Sequence, residues 1–296
     1  MRVCIVGTSR CGTSILRQLL HLHPRLRLFG ETHWLPRMFE FAGHQRIGWR
    51  ALYDIAAKTT WDNGRDLLTA NRVHSGFAED EALLGAFRAA LTARGAVTIQ
   101  EFNALFAETC FGTDVSWGDK TPDYGFYMRL IQQLWPGCRF IHIVRDGLDT
   151  ARSMSLHSGC QLMVSNGYDN WCSLSYDRLY EKYQRRELPL EAYVASWRRR
   201  MERIRDEATR LRPGSYLELR YDALQDAPAA VLKQAADWLE LEADAAWLDR
   251  AAALVRPREA GATHAQSVLD KLPPEDLHYV NREWRQPGGS AGTTGI

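Results

Sequence analysis

Val3-Cys4-Ile5-Val6-Gly7-Thr8-Ser9-Arg10-Cys11-Gly12-Thr13-Ser14 decides how the chain folds. A short β-branched run enters a turn bounded by glycines, and the apolar spacing then changes. Ile15, Leu16, Leu19, Leu20 and Leu22 recur at helical intervals, so a helix is expected to start near Thr13. Gly7 to Gly12 has the G-x-x-x-x-G frame of a phosphate loop, whose backbone N–H groups and helix N-terminus cradle an anion. A nucleoside triphosphatase carries Lys and then Ser/Thr after the second glycine; here Thr13 replaces that lysine. One charge normally aimed at the β- and γ-phosphates is therefore missing, and Arg10 inside the loop is the substitute. The frame suggests a donor whose 5′-phosphate carries one further tetrahedral anion, rather than a magnesium triphosphate. A glycine-rich strand-to-helix turn without a ligand is the plainer alternative, because such turns recur in doubly wound folds.

The same alternation continues along the chain. Arg25 to Phe29 reads as a second strand ended by Gly30, and Cys138 to Val144 as the clearest buried strand. Gly147 to Leu156 reads as a helix, Leu190 to Leu211 as a long amphipathic one, Tyr216 to Arg220 as a strand, and Pro228 to Leu239 as a helix with proline in its first turn. Strands separated by helices imply an α/β fold, a P-loop-type parallel sheet flanked by helices on both faces. Ligands of such sheets bind beyond the carboxyl ends of the strands. Arg198-Arg199-Arg200 in the long helix is expected to be a solvated face. Residues 1–287 are read as one domain with a mostly helical, aromatic-rich insert at about 33–95, and 288–296 as a flexible tail.

Composition narrows the partners. The 296-residue chain has a net charge of +1, which argues against nucleic acid or a membrane surface held by bulk charge. No apolar run approaches the roughly 20 residues that span a bilayer, and no signal peptide is evident, so a cytoplasmic protein is expected. The six cysteines show no C-x-x-C spacing, which fits reduced, buried thiols. No H-E-x-x-H, Cys/His cluster or acidic triad has ligand spacing, and no metal is expected.

A second anion site is expected at Ile143-Val144-Arg145-Asp146-Gly147-Leu148-Asp149-Thr150-Ala151-Arg152-Ser153. Arg145 stands at a strand end and Ser153 two helical turns later, so guanidinium and hydroxyl can bridge one phosphate. The alternative is that Arg145 simply pairs with Asp146 or Asp149.

Together, GTSRCGTS and IVRDGLDTARS resemble the 5′-phosphosulfate and 3′-phosphate motifs of sulfotransferases that use 3′-phosphoadenosine-5′-phosphosulfate (PAPS). Gly30-Glu31-Thr32-His33-Trp34-Leu35-Pro36-Arg37 resembles the G-E-T-R…P-R segment of the tyrosylprotein branch, Gly118-Asp119-Lys120-Thr121-Pro122 its K-T-P segment, and Leu219-Arg220-Tyr221-Asp222-Ala223-Leu224 the R-Y-E-x-L strand end. The matches span roughly Met1 to Leu241. The resemblance implies a PAPS-dependent enzyme that releases the bisphosphate PAP. Its donor would lie on Ser9, Arg10, Cys11, Gly12, Thr13, Ser14, Arg145, Ser153 and Tyr221. It also implies Glu31 as the general base, with Arg10 and Lys120 as the cations that stabilise charge in the transition state. His33 stands where the tyrosylprotein branch has arginine. That departure weighs against a peptide tyrosine acceptor and leaves His33 as an acceptor contact or a rival base.

His33 and Trp34 are the candidate acceptor contacts. The acceptor class stays open between a small molecule, a carbohydrate and a peptide hydroxyl. Trp34, Phe39, Phe41, Trp49, Tyr53, Trp61 and Phe77 form either an acceptor pocket or an ordinary helical core. His21, His23, His74 and His142 are read as structural. Two other functions remain: a P-loop small-molecule kinase and a catalytically inactive nucleotide-binding protein.

Overall fold

The computed structural model describes residues 1–64, 67–68, 81–257 and 269–281. Phe77, His74 and the tail at 288–296 lie outside the described residues. Five parallel strands form the central sheet: β1 (Val3–Val6), β2 (Leu26–Phe29), β5 (Ser116–Lys120), β6 (Arg139–Val144) and β7 (Tyr216–Arg220), ordered β2-β5-β1-β6-β7. β3 (Ile47–Gly48) and β4 (Ala96–Val97) pair separately as a short antiparallel ribbon. In the register at the centre, Val3 stands opposite Gly118 on one side and Arg139 on the other.

Strand side chains alternate between the two faces. Val3 and Ile5 pack with Ile141, Ile143, Leu219 and the helices Thr13–His21, Pro228–Trp238 and Ala245–Ala252. Cys4, Val6 and Phe140 face the opposite layer, where Phe29, Phe102, Phe106 and Ile131 close the core. A third cluster lies past the end of β6, where Val144, Leu148 and Met154 meet Val194, Trp197 and Met201 of the helix Leu190–Ala208. The α/β class is as the sequence implied.

β5 was not among the expected strands. Ser-Trp-Gly-Asp-Lys has none of the β-branched residues that mark a strand, yet it lies between β1 and β2. Gly118 makes that possible, since a Cβ there would sit 2.3 Å from the carbonyl oxygen of Val3. Apart from β3 and the turns around it, the described part of the insert is built mainly of the helices Leu35–Ala42, Trp49–Lys58 and Glu81–Arg94. Its aromatic residues serve mainly as core. Trp34 is fully buried, donates its indole N–H to Asn103 Oδ1 at 3.1 Å and meets Phe106 edge-on. The expectation that Trp34 contacts an acceptor is therefore corrected, because its ring faces the core. Among the described residues no helix is long and apolar enough to cross a membrane.

Candidate active site

The carboxyl ends of β1, β2, β5 and β6 and the start of the helix after β7 converge on one cavity of about 290 Å³. The loop after β1 forms its floor. Ser9 and Arg10 both have left-handed φ, 64° and 57°, and Gly12 follows at 104°. Such runs turn successive backbone N–H groups toward one point and make an anion-binding nest. Non-glycine residues in this region carry strain that the surroundings must hold. Gly12 sits at the N-terminus of the helix Thr13–His21 and offers no capping side chain to compete with a ligand there. The Tyr221 ring covers Gly12, where a Cβ would lie 2.3 Å from Cδ2. Cys11 is fully buried.

The two anion motifs meet directly. Arg10 Nε donates to Ser153 Oγ at 3.2 Å. Arg145 Nη1 reaches the Arg10 carbonyl at 3.5 Å, and its guanidinium lies 5.1 Å from the centre of the Tyr221 ring. Asp146 caps the next helix through the N–H groups of Leu148 and Asp149, both at 2.9 Å. Arg145 does approach Asp149, at 3.7 Å, but both are partly exposed and a surface pair of this kind is weak.

Glu31 lies two residues past the end of β2 and against Lys120, which ends β5. Lys120 Nζ donates to Glu31 Oε1 and also to Ser14 Oγ at 3.3 Å, so one ammonium joins the carboxylate to the phosphate-loop helix. His33 Nε2 faces Glu31 Oε2 at 3.2 Å. Burial alone would push the Glu31 carboxyl up, but the Lys120 charge and the His33 hydrogen bond outweigh it and hold the group well below the usual carboxylate range. The segment is pinned from below. Thr32 N–H donates to Thr121 Oγ1 at 2.9 Å, and Thr32 Oγ1 shares a 2.6 Å hydrogen bond with the Tyr124 hydroxyl. His33 itself has φ 53°, which turns its ring back over the site. Asp119 accepts from Thr121 Oγ1 at 2.6 Å, and burial pushes its carboxyl up to about 7.

Sequence reasoning missed Arg200. The arginine run was expected to face solvent, but Arg200 is 1% exposed. Its Nη1 donates to the Thr8 carbonyl at 3.1 Å and to Ser9 Oγ at 3.0 Å, and it lies 3.9 Å from Asp123 Oδ1. It thus braces the strained loop from beneath. The signal was present: Trp197, Arg200, Met201 and Ile204 fall at i, i+3, i+4 and i+7, so Arg200 lies on the apolar stripe. His157 and Trp171 also line the cavity and were not singled out in the sequence, whereas Trp61, one of the aromatic residues weighed as either acceptor pocket or helical core, lines it too. His157 Nδ1 accepts from the Cys160 N–H at 3.4 Å, which leaves the proton on Nε2. Burial and the Arg10 charge lower its pKa.

The family model described as "Sulfotransferase family" matches residues 2–245, and the chain belongs to that family. A putative protein-tyrosine sulfotransferase of Caenorhabditis briggsae is 26% identical over 152 residues, 51% of this chain and 42% of that protein. The chain therefore matches less than half the length of that relative. Among solved structures, the sulfotransferase domain from the curacin biosynthetic pathway superposes with a TM-score of 0.58 at 17% identity, covering 95% of this chain and 96% of that one. The sulfotransferase domain of the Synechococcus PCC 7002 olefin synthase gives 0.53 at 19% identity, covering 97% and 94%. At such identities these likenesses concern the fold alone.

Proposed function

We propose that the protein moves the sulfuryl group of PAPS to a hydroxyl acceptor by in-line displacement. The observation that carries this reading is the Lys120 ammonium, hydrogen-bonded at once to Glu31 and to Ser14 at the mouth of an anion nest. The donor's 5′-phosphosulfate would lie on the N–H groups of Arg10 to Ser14, with the Ser9, Thr13 and Ser14 hydroxyls beside it. Its 3′-phosphate would take Arg145 and Ser153, and its nucleoside would rest near Tyr221. The acceptor oxygen attacks sulfur, the bond from sulfur to the bridging phosphate oxygen breaks, PAP departs, and the acceptor proton passes to Glu31. Backbone N–H groups, Arg10 and Lys120 neutralise the charge that develops, so the transfer itself needs no metal.

A carboxylate held this far below its usual range is a weak base while Lys120 pairs with it. The donor competes for that ammonium, and as Lys120 turns toward the sulfuryl group Glu31 regains basicity. The arrangement thereby couples donor occupancy to base strength. His33, bonded to the other oxygen, orients the carboxylate. The acceptor half of the cavity, walled by Trp61, Trp171 and Met163, suits a hydroxyl on a small molecule, a carbohydrate or a peptide.

The test is incubation with labelled PAPS and a panel of hydroxyl acceptors, with and without a chelator. Transfer should be chelator-insensitive and should fall by at least about 100-fold in Glu31→Gln, the scale of general-base catalysis. Turnover like that of the wild type in this variant removes Glu31 from the mechanism. Phosphoryl transfer from ATP that requires magnesium would replace the reading with the kinase.

A further inference from the structure

Three side chains distant in sequence meet behind the proposed base. His33 Nδ1 lies 3.4 Å from Cys172 Sγ and 3.9 Å from Asp123 Oδ2, and all three atoms fall within 4.8 Å of one another. Their exposures are 3%, 8% and 2%. The sequence contained no metal-ligand spacing because the set is assembled from three separate segments. We propose that His33, Asp123 and Cys172 form a binding site for one divalent cation of the zinc class, and that its occupancy blocks sulfuryl transfer.

The donor set fits such an ion and no harder one. Nitrogen, thiolate sulfur and carboxylate oxygen together suit zinc or cobalt, whereas magnesium and calcium take oxygen ligands. With metal–nitrogen and metal–sulfur bonds of about 2.0 and 2.3 Å, neighbouring ligand atoms on a tetrahedral ion lie roughly 3.3–3.6 Å apart. The set needs to contract by only about 1 Å to meet that. His33 and Asp123 line the open cavity, which gives the ion both an entry path and a fourth position facing the acceptor side.

The surroundings are those of a metal-bound histidine. Such a ring usually donates its second N–H to a carboxylate, which fixes the tautomer. Here Nε2 faces Glu31 Oε2 at 3.2 Å, leaving the Nδ1 lone pair toward Cys172 and Asp123. Asp123 Oδ2 accepts from the Trp171 N–H, which orients the carboxylate. Asp123 Oδ1 is buried without a hydrogen-bond partner among the described residues. Charge is largely compensated: the carboxylates of Asp123 and Glu31 and a Cys172 thiolate oppose the ion, Lys120 on Glu31 and Arg200 near the far oxygen of Asp123, which leaves one net positive charge. Binding replaces the thiol proton: a sulfur–metal bond forms, the S–H bond breaks, and the proton leaves to solvent. Without the ion, the thiol shares its proton with the ring as an ordinary hydrogen bond.

Cobalt(II) titration of the full chain is the direct test. One equivalent should give the intense visible bands of a tetrahedral site and a near-ultraviolet thiolate-to-cobalt band. Cys172→Ser should abolish the thiolate band although the other five cysteines remain, and Asp123→Asn should weaken binding at least about 10-fold, the lower end for a lost metal-site partner. Zinc should then inhibit transfer, reversibly with a chelator, and inhibition of each variant relative to its own metal-free rate should fall in the same order. A missing thiolate band, or one that persists in Cys172→Ser, overturns the site. For variants that fail to fold, anomalous diffraction from a zinc-soaked wild-type crystal decides: the peak must lie among these three atoms, and a peak elsewhere refutes the proposal. The inhibition arm rests on the sulfotransferase reading and the cobalt arm does not. A chain that binds cobalt as described but moves no sulfuryl group would keep the site and lose that reading.

Discussion

At the scale of single residues, the site depends on how charges are shared. Arg200 is a buried guanidinium whose partners are the Thr8 carbonyl, Ser9 Oγ and, more distantly, Asp123. Arg200→Met leaves the strained loop unbraced and the Asp123 carboxylate without its nearest cation. Removing one member of a buried charge pair typically costs about 3 kcal/mol or more, so urea denaturation should show a loss of that order. Affinity for PAP should fall as well, while Arg200→Lys should recover part of both. Full PAP affinity in the methionine variant would show that the loop holds its shape unaided. Glu31, Lys120, Arg10, Arg145 and Ser153 could be singled out as candidates from their motifs, because an anion site would demand particular residue types at strand ends. Arg200 was not, because a run of three arginines looks solvated unless each is placed on the helical wheel. Trp34 was misread for the opposite reason: adjacency to a motif says nothing about which way a ring points.

At the scale of elements, the phosphate loop and β5 each rest on one glycine. Gly12 combines a φ of 104° with a Tyr221 ring that leaves no room for a Cβ. Gly12→Ala should therefore lower the melting temperature and reduce PAP affinity at least about 10-fold, given a left-handed penalty of roughly 1–2 kcal/mol together with the clash. Adding Tyr221→Ala should relieve the steric part alone. β7 supports a pH prediction. Burial would raise the Glu218 carboxyl, but the His142 hydrogen bond and Arg205 outweigh it, and the group titrates well below an ordinary glutamate. A depressed folded-state pKa contributes stability above the unfolded value of about 4.3, lost as the pH falls below it. Glu218→Gln should thus flatten the acid limb of a stability–pH curve between about pH 5 and pH 2, and an unchanged limb would exclude this carboxylate as a source. β1, β6 and β7 could be read from apolar runs. β5 could not, because burial on a parallel sheet was achieved there with Gly118 and the polar residues Asp119 and Lys120 instead of β-branched ones.

At the scale of the whole molecule, the architecture explains why residues as far apart as Ser9, Glu31, Arg145 and Tyr221 share one cavity, with Lys120 behind Glu31 and Ser14. In a parallel sheet every strand delivers its carboxyl end to the same edge. The order β2-β5-β1-β6-β7 places the proposed base and its lysine on one side of the loop and the second anion motif on the other. The sequence carried this at the level of class, strand after helix after strand. It could not carry strand order, and the meeting of His33, Asp123 and Cys172 follows only from that order and the long connections beyond it.

In the proposed reaction two strand ends jointly hold both phosphates of one adenosine bisphosphate. Calorimetric titration of the wild type and Arg145→Ala with PAP and with adenosine 5′-phosphate, which lacks the 3′-phosphate, isolates it. Arg145→Ala should weaken PAP binding at least about 10-fold, the scale of a charge-assisted phosphate contact, and leave adenosine 5′-phosphate nearly unaffected. Equal losses for both ligands, or no loss for either, would contradict that joint hold.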